Sequence, residues 1–260
     1  MIAREDRGSI AILRIEHGKA NTMDLELLGD LSRELAKLED EPVKALVVTG
    51  SGRVFSAGVD LYRLLEGGAE YVRAFVPRLN SSLLELYRFS KPVIAALNGH
   101  AIAGGFVLAC CCDRRVMAKD GGKVGLTELP VGVPFPSVPL EVVRSVVPSR
   151  ILRDLVYGGR LFLADEALQA RLVDEIVDAE GLLDRAIEVA EELTRIPADA
   201  FGLTKQWIQE PVLQRLERSA TTHDAEVLRA WSDPETHAAI RRYVEATLKS
   251  KGTTPGPPSG

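Results

Sequence analysis

The stretch Lys91–Asp113, KPVIAALNGHAIAGGFVLACCCD, decides the fold. Its first part is apolar and has the length of a buried strand, and the adjacent glycines Gly104 and Gly105 open a second apolar run that we predict to be helical. Paired glycines let a ligand approach bare backbone, and the start of a helix directs unpaired N–H groups and a positive dipole end at that ligand. This pattern is suited to holding an oxyanion.

A second glycine turn lies upstream, in the segment Phe55–Leu61 with the sequence FSAGVDL. It follows another apolar strand, predicted at 45–49. We expect the backbone N–H near Val59 to supply a donor that converges with the N–H of Gly104. Two converging donors form a hole for a negatively charged oxygen.

FSAGVDL followed by NGHAIAGG, in this order and spacing, resembles the crotonase (enoyl-CoA hydratase/isomerase) superfamily. Either glycine pair alone would be weak evidence, whereas the two motifs together are specific. The resemblance covers the chain from about Ile10 to the C-terminal helices. It implies an enzyme that binds an acyl-CoA thioester and stabilises its enolate. It also implies an α/β fold wound as a spiral of repeated ββα units, with C-terminal helices that pack across a trimer.

Composition agrees with this interpretation. The chain has 260 residues, of which 46% are hydrophobic and 27% charged, so it can bury one core and a small appendage. The net charge is −5 and no run of Lys and Arg is interleaved with aromatic residues, which argues against nucleic acid or an anionic membrane as a partner. No apolar run reaches the roughly 18 residues of a membrane span, and the first residues, MIAREDR, are charged rather than signal-like. We therefore expect a cytoplasmic protein.

The three cysteines are consecutive, at 110–112, inside the apolar run that follows Gly105. Neighbouring side chains on a helix point in different directions, so we expect buried, reduced thiols rather than a disulfide. The spaced Cys and His residues of a metal site and a GxGxxG cofactor turn are both absent from the sequence. We predict an enzyme with no metal or cofactor, to which CoA comes as part of the substrate.

Short strands alternate with helices in the first two-thirds of the chain, which predicts a right-handed α/β architecture. Leucines at helical spacing predict a helix from Leu25 to Leu38, with Thr22 or Asp24 as its cap. A second helix is predicted at 70–90, and we expect Pro77 to kink or interrupt it. The predicted strands lie at 10–15, 43–49, 92–97, 115–117, 124–126 and 173–177.

We predict three segments. Residues 1–196 form the ββα core that binds acyl-CoA, and 197–251 form a helical region with helices at 198–209, 211–231 and 233–249. The tail 252–260, GTTPGPPSG, is predicted to be disordered because it cannot bury a core. The resemblance implies a homotrimer or hexamer.

The predicted chemistry depends on carboxylates near the oxyanion hole. According to the resemblance, hydratases place two glutamates over the acyl chain, and the matching positions here are Val107 and Glu128. Adding water is easiest with two carboxylates, whereas moving a double bond needs one carboxylate that carries a proton between two carbons. The segment after Glu128, VGVPFPSVPLEVV, lacks the PGxGGT pattern of typical hydratases. It looks more like the single-glutamate isomerases that convert 3-enoyl-CoA to 2-enoyl-CoA.

We therefore predict that Glu128 removes a proton from C2 of a 3-enoyl-CoA and returns it to C4. The amides of Val59 and Gly104 hold the oxygen of the intermediate. Apolar neighbours, namely Phe106, Val107 and Val133, are expected to raise the pKa of Glu128 towards neutrality.

The resemblance also implies substrate-binding positions. Lys19 and Ala20 match the loop near the CoA nucleotide, and Ala57 to Leu61 offers backbone to the adenine and pantetheine. Lys249, in the predicted C-terminal helices, is a candidate to contact a CoA phosphate bound to a neighbouring subunit. We expect Asp60 to brace its loop and His100 to be structural. The full set of predicted substrate-binding residues is Lys19, Ala20, Ala57, Asp60, Leu61, Gly105, Val107 and Val133.

Two alternatives stay open. The first is a 2-enoyl-CoA hydratase, or another CoA-thioester lyase or hydrolase, that works with one glutamate. The second is a non-catalytic acyl-CoA-binding homologue, against which the retention of Glu128 argues. Analysis of reaction products separates them.

Overall fold

The computed structural model describes residues 1–247, so the predicted tail at 252–260 and Lys249 lie outside the described residues. The strands in this range are β1 (Ile2–Arg7), β2 (Ile10–Ile15), β3 (Ala45–Gly50), β4 (Val54–Ser56), β5 (Val93–Leu97), β6 (His100–Ile102), β7 (Arg114–Ala118), β8 (Val124–Gly125), β9 (Leu161–Phe162) and β10 (Glu175–Val177).

The helices are α1 (Leu25–Asp40), α2 (Leu61–Arg88), α3 (Gly104–Cys110), α4 (Glu128–Val131), α5 (Ser137–Val146), α6 (Ser149–Gly158), α7 (Ala164–Gln169), α8 (Leu182–Thr194), α9 (Ala198–Trp231) and α10 (Pro234–Thr247). A 3-10 turn spans Ala179–Gly181. Among the described residues, none of these helices combines the length and the hydropathy needed to span a membrane.

Two sheets organise the chain. The larger sheet has six strands in the order β1-β2-β3-β5-β7-β10, and the smaller has four in the order β4-β6-β8-β9. Within residues 1–247 the pairs β1–β2 and β8–β9 are antiparallel, and the other strand pairs of the two sheets are parallel. The chain steps from the larger sheet to the smaller and then into a helix in β3-β4-α2, β5-β6-α3 and β7-β8-α4. These repeats confirm the predicted spiral of ββα units.

The larger sheet is covered on both faces, as parallel sheets usually are. Alternate residues along its strands face opposite sides, so Val47 packs with α8 while Val48 belongs to the main core with α1 and α2. All six residues of β3 are buried. This burial explains why its sequence, ALVVTG, is an almost continuous apolar run rather than an alternating one.

The first helix agrees with its leucine spacing, and Asp24 is its cap: the side chain accepts a hydrogen bond from Leu27 N. The kink prediction for the second helix is wrong in position. The non-helical residue is Gly68, with φ 58° and ψ −151°, and α2 continues through Pro77. Pro77 is exposed, so water can satisfy the carbonyl that its ring leaves unpaired.

The predicted break between two C-terminal helices at 209–211 is also wrong. α9 runs without interruption from Ala198 to Trp231 and includes Pro211. Pro211 is exposed, like Pro77, and the lost hydrogen bond therefore falls on the solvent side of the helix. α9 packs on α2 and α5.

Candidate active site

Three parallel strands of the smaller sheet end at one edge. In their register Ser56 pairs with Ala101, Ala101 with Val124, and Ile102 with Gly125. Because neighbouring parallel strands are about 4.8 Å apart and point the same way, the segments that leave them emerge side by side. The segment after β4 leads to Val59, the segment after β6 to Gly104, and the segment after β8 to Glu128.

The amide of Val59 is oriented by a short bridge to Met23. Met23 N donates to Gly58 O at 2.7 Å, and Asp60 N donates to Met23 O at 2.9 Å. Successive N–H groups of an extended segment point to opposite sides, so the Val59 N–H points away from Met23. It is therefore available to a ligand.

The Gly104 amide lies beside that of Val59. A β-carbon on Gly104 would be 3.8 Å from Val59 N, and one on Gly58 would be 2.9 Å from Gly104 N. Gly58 has a φ of 85°, so both its conformation and its contact require glycine. On the other side, a β-carbon on Gly105 would be only 2.0 Å from Ser56 O. The glycines of both motifs thus let the two loops meet backbone to backbone.

Ala103, the residue before α3, has φ 52° and ψ −127°. A non-glycine residue with such a φ carries strain of the order of 1–3 kcal/mol, which surrounding structure must hold in place. Its N–H donates to Gly125 O at 2.8 Å, and its carbonyl accepts from Phe106 N and Val107 N. The strained residue therefore aims the start of α3 while it is tied to the strand that leads to Glu128.

Glu128 begins α4 and is 9% exposed, and its Oε2 has no hydrogen-bond partner. Burial raises the pKa of Glu128 from 4.5 to about 7, against the opposing effect of the backbone N–H groups of Glu128 and Thr127. The other buried carboxylates of residues 1–247 are paired: Asp24 with His17 at 2.6 Å, and Glu141 with Arg215 at 2.5 Å. A buried carboxyl group that has no ion-pair partner and a pKa near neutrality is typical of a general base.

Val107, which the family resemblance matches to the other glutamate of hydratases, is an apolar residue in the structure. Val107 is 0% exposed and lies in the first turns of α3, next to the equally buried Phe106. Val133 is also buried, and its N–H donates to the backbone carbonyl of Glu128 at 3.0 Å. The raised pKa of Glu128 agrees with the predicted desolvation.

Asp60 braces its loop, as predicted. Its Oδ1 accepts from Tyr62 N and Arg63 N at 3.0 Å, which caps α2, and its Oδ2 accepts from Thr22 Oγ1 at 3.1 Å. A carboxylate committed to these donors is not available for proton transfer. Leu61, the first residue of α2, is half-buried.

The loops predicted to bind CoA adjoin each other. Ala57 N donates to Ala20 O at 3.0 Å, and Lys19 is exposed next to this contact. His100 has a structural hydrogen bond, since its Nδ1 accepts from Lys123 N at 3.1 Å.

The cysteines and a large cavity are two further features of the described residues. The three cysteines are free and buried, as expected, and burial raises the pKa of Cys110 to about 12. A cavity of about 970 Å³ between the start of α9 and the beginnings of β3 and β5 has neither Val59, Gly104 nor Glu128 in its walls. Residues 1–247 contain no group of three or more His, Cys, Asp and Glu side chains placed to hold a metal ion.

α9 makes a contribution near the site that the sequence does not reveal. His223 and Trp231 donate hydrogen bonds to the loop that follows α4, and Asp224 accepts one from Ser137, the first residue of α5. Their partners include backbone carbonyls and an amide, which no sequence pattern identifies.

The segments with Val59, Gly104 and Glu128 leave neighbouring parallel strands at one edge of a ββα spiral, and this spiral is the fold of the crotonase superfamily. The family model for enoyl-CoA hydratase/isomerase matches residues 5–250, and the chain belongs to this family.

Relatives with different named reactions resemble this chain. Carnitinyl-CoA dehydratase of Escherichia coli K12 is 33% identical over 201 residues, which are 76% of each protein. The crystal structure of human mitochondrial delta3-delta2-enoyl-CoA isomerase has a TM-score of 0.91 at 26% identity, with 96% of this chain and 99% of that one covered. The crystal structure of an enoyl-CoA hydratase from Mycobacterium marinum has a TM-score of 0.79 at 27% identity, and the match covers 87% of this chain and 99% of that one.

Proposed function

We propose that this protein is an enoyl-CoA isomerase that converts a 3-enoyl-CoA to the 2-enoyl-CoA. The observation that carries the proposal is the buried Glu128, whose Oε2 has no partner, together with an apolar Val107 where hydratases have a second glutamate. One carboxylate that is free to take and return a proton suits a double-bond shift. The structural similarity to a named enoyl-CoA isomerase supports the same reaction.

In the proposed mechanism the thioester oxygen accepts hydrogen bonds from the amides of Val59 and Gly104. The Glu128 carboxylate removes a proton from C2, and the electrons move onto the thioester oxygen as a dienolate. The carboxylic acid so formed gives the proton to C4, and the double bond ends between C2 and C3. Each preorganised donor of an oxyanion hole contributes about 10²–10³ in rate.

The electrostatic environment of Glu128 suits this shuttle. With a pKa of about 7, the carboxyl group takes up and releases a proton near neutral pH at little cost. The apolar surroundings also exclude water, which would otherwise compete for the dienolate.

The remaining predicted positions are part of this proposal. Lys19, Ala20 and the segment 57–61 would hold the CoA moiety, and Gly105, Val107 and Val133 would line the acyl group. The enzyme would use no metal or cofactor, would act in the cytoplasm, and would assemble as a homotrimer or hexamer.

A second candidate is hydration, or its reverse, with one glutamate. The 33% identity to a carnitinyl-CoA dehydratase favours it. In that case Glu128 would handle the proton at C2, and the water would have no carboxylate of its own at position 107.

The test incubates purified protein separately with 3-hexenoyl-CoA and 2-hexenoyl-CoA. We expect a product of unchanged mass with the absorbance of a conjugated thioester from the first substrate, and no such turnover by Glu128→Gln. Gain of one water by the second substrate, without isomerisation of the first, would replace the isomerase with the hydratase. Binding without conversion of either would favour a non-catalytic protein.

A further inference from the structure

The helical turn that carries Glu128, α4, is too short to be stable without contacts to the rest of the protein. α4 has four residues, and a single helical turn is unfavourable in isolation because nucleation fixes several residues for one hydrogen bond. On its N-terminal side it is held by the pairing of β8 with β6. On its C-terminal side Gly132 N and Val133 N donate to Glu128 O at 3.1 and 3.0 Å, so the turn closes onto the loop that follows.

The segment Val133–Ser137, which consists of this loop and the first residue of α5, is fastened to α9 by side chains of that helix. Trp231 Nε1 donates to Pro134 O at 2.8 Å, and His223 Nε2 donates to Phe135 O at 2.9 Å. Asp224 accepts from both Ser137 N at 2.9 Å and Ser137 Oγ at 2.7 Å. Three residues of one helix thus bind Pro134, Phe135 and Ser137.

A further layer holds these residues in turn. Asp224 Oδ2 also accepts from Asn80 Nδ2 of α2 at 2.9 Å. The Trp231 ring stacks on Phe75 with 6.4 Å between ring centroids, and Trp231 O accepts from His237 Nε2 at 2.8 Å. Both Trp231 and His237 are buried. The contacts leave the α9 side chains little freedom.

α10 packs against the C-terminal end of the same turn. A β-carbon on Gly132, which has a φ of 97°, would be 3.0 Å from Ala239 Cβ. The turn therefore has a strand on one side, and α9 and α10 of the same chain on the other.

We propose that Trp231, His223 and Asp224 are positioning residues for Glu128. By fastening Val133–Ser137 they fix the turn, keep water from the carboxyl group and hold its Oε2 at the edge where Val59 and Gly104 lie. Their effect on turnover rests on the proposed function, whereas their effect on the Glu128 carboxyl group does not. Displacement of a catalytic group by about 1 Å can cost on the order of 10²-fold in rate.

The experiment compares Trp231→Phe with Gln209→Met. Each removes one hydrogen bond from α9 to a backbone carbonyl, but Gln209 Nε2 donates to Tyr87 O of α2, away from the Glu128 turn. Infrared difference titration, with Glu128→Gln as the reference, measures the pKa of the Glu128 carboxyl group without any substrate. Steady-state assays with 3-hexenoyl-CoA measure kcat and KM separately.

We expect Trp231→Phe to lower the pKa of Glu128 from about 7 towards its ordinary value of 4.5, because water reaches the loosened turn. We expect kcat to fall at least tenfold with little change in KM. Gln209→Met should leave both the pKa and kcat as in the unaltered protein. If Trp231→Phe does not fold, as judged by circular dichroism, the half-buried His223→Leu takes its place in the same measurements.

An unchanged pKa in both Trp231→Phe and His223→Leu would overturn the proposal, and so would an equal pKa change in Gln209→Met. A lowered pKa of Glu128 in Trp231→Phe or His223→Leu but not in Gln209→Met, in a protein that converts no enoyl-CoA, would support positioning and reject the proposed function. Isomerase activity of the unaltered protein, together with an unchanged pKa of Glu128 in both Trp231→Phe and His223→Leu, would support the proposed function and reject positioning.

Discussion

Gly58 and Gly104 meet so closely that a β-carbon on Gly58 would be 2.9 Å from the Gly104 nitrogen. The contact joins the loops that carry the two proposed oxyanion donors. Because Gly58 also has a φ of 85°, no other residue fits there without moving one of the loops. The spacing of the donors therefore depends on this pair.

We predict that Gly58→Ala lowers kcat for enoyl-CoA turnover by about 10²–10³, the effect of losing one oxyanion donor. Gly8→Ala is the matched control, since Gly8 has a φ of 62° and a β-carbon there meets nothing within 4 Å. Steady-state kinetics and urea unfolding of both variants check this. The control should lose about 1–2 kcal/mol of stability from the left-handed backbone conformation and keep its activity. Equal kcat in the two variants would contradict the importance of the contact.

The pH dependence of catalysis should report Glu128. The reactive form is the carboxylate, and the pKa is about 7, so kcat/KM should fall as the pH is lowered through about 7. A pH profile with 3-hexenoyl-CoA between pH 5 and 9 measures this. An activity that stays level down to pH 5 would mean that a different group acts as the base.

Stability should depend on pH through the same residue. The folded pKa of Glu128 is about 7 and its ordinary value is 4.5, so the folded state holds the proton more tightly than the unfolded state. Its contribution is fully present below pH 4.5 and is lost as the pH rises to about 7, by up to about 3 kcal/mol. Glu128→Gln should therefore be more stable than the unaltered protein at pH 8 and equally stable at pH 4.5.

Urea unfolding at these pH values provides the measurement, and Glu141→Gln provides the contrast. Glu141 is buried but paired with Arg144 and Arg215, so its replacement should destabilise the protein at pH 8. A Glu128→Gln variant that is less stable at pH 8 would show that this carboxylate has a partner in solution.

A carboxylate introduced at position 107 should add hydratase activity. We predict that Val107→Glu hydrates 2-hexenoyl-CoA at least about tenfold faster than the unaltered protein, part of the 10²–10⁴ that a general base can contribute. The variant should be less stable by a few kcal/mol because Val107 is 0% exposed. Val107→Gln has nearly the same size but no base, and mass spectrometry of the products compares the two. Equal hydration by both would remove the basis for distinguishing hydratase from isomerase at this position.

Local signals in the sequence account for a large part of the fold. The leucine spacing of α1, its Asp24 cap and the apolar run of β3 are each encoded within a few neighbouring residues. β4 and β6 have three residues each, too few to show a period, and they appear only as parts of the motifs around the glycines. Pro77 and Pro211 led to wrong predictions of a helix kink and a helix break. The sequence does not show that both prolines lie on the solvent side of α2 and α9, where a helix can accommodate them.

The candidate site likewise combines residues that local sequence motifs identify with contacts between residues far apart in the sequence. Val59, Gly104 and Glu128 lie in short motifs that follow strands, so the sequence could identify them as candidates. The link between Asp224 and Ser137 spans 87 residues. It forms only after α9 has folded back over α2 and α5, and nothing local to either residue predicts it.

The hydrogen bond from Trp231 to Pro134 can form only some time after the Glu128 turn has been synthesised. The two residues are 97 positions apart, so the glutamate turn leaves the ribosome well before the tryptophan that fixes it. At about 5–20 residues per second this interval lasts of the order of 5–20 s. Throughout it the nascent chain carries its acid without the helix that keeps water away. Reactivity is therefore acquired only after α9 has been synthesised and has packed against the loop that follows the glutamate turn.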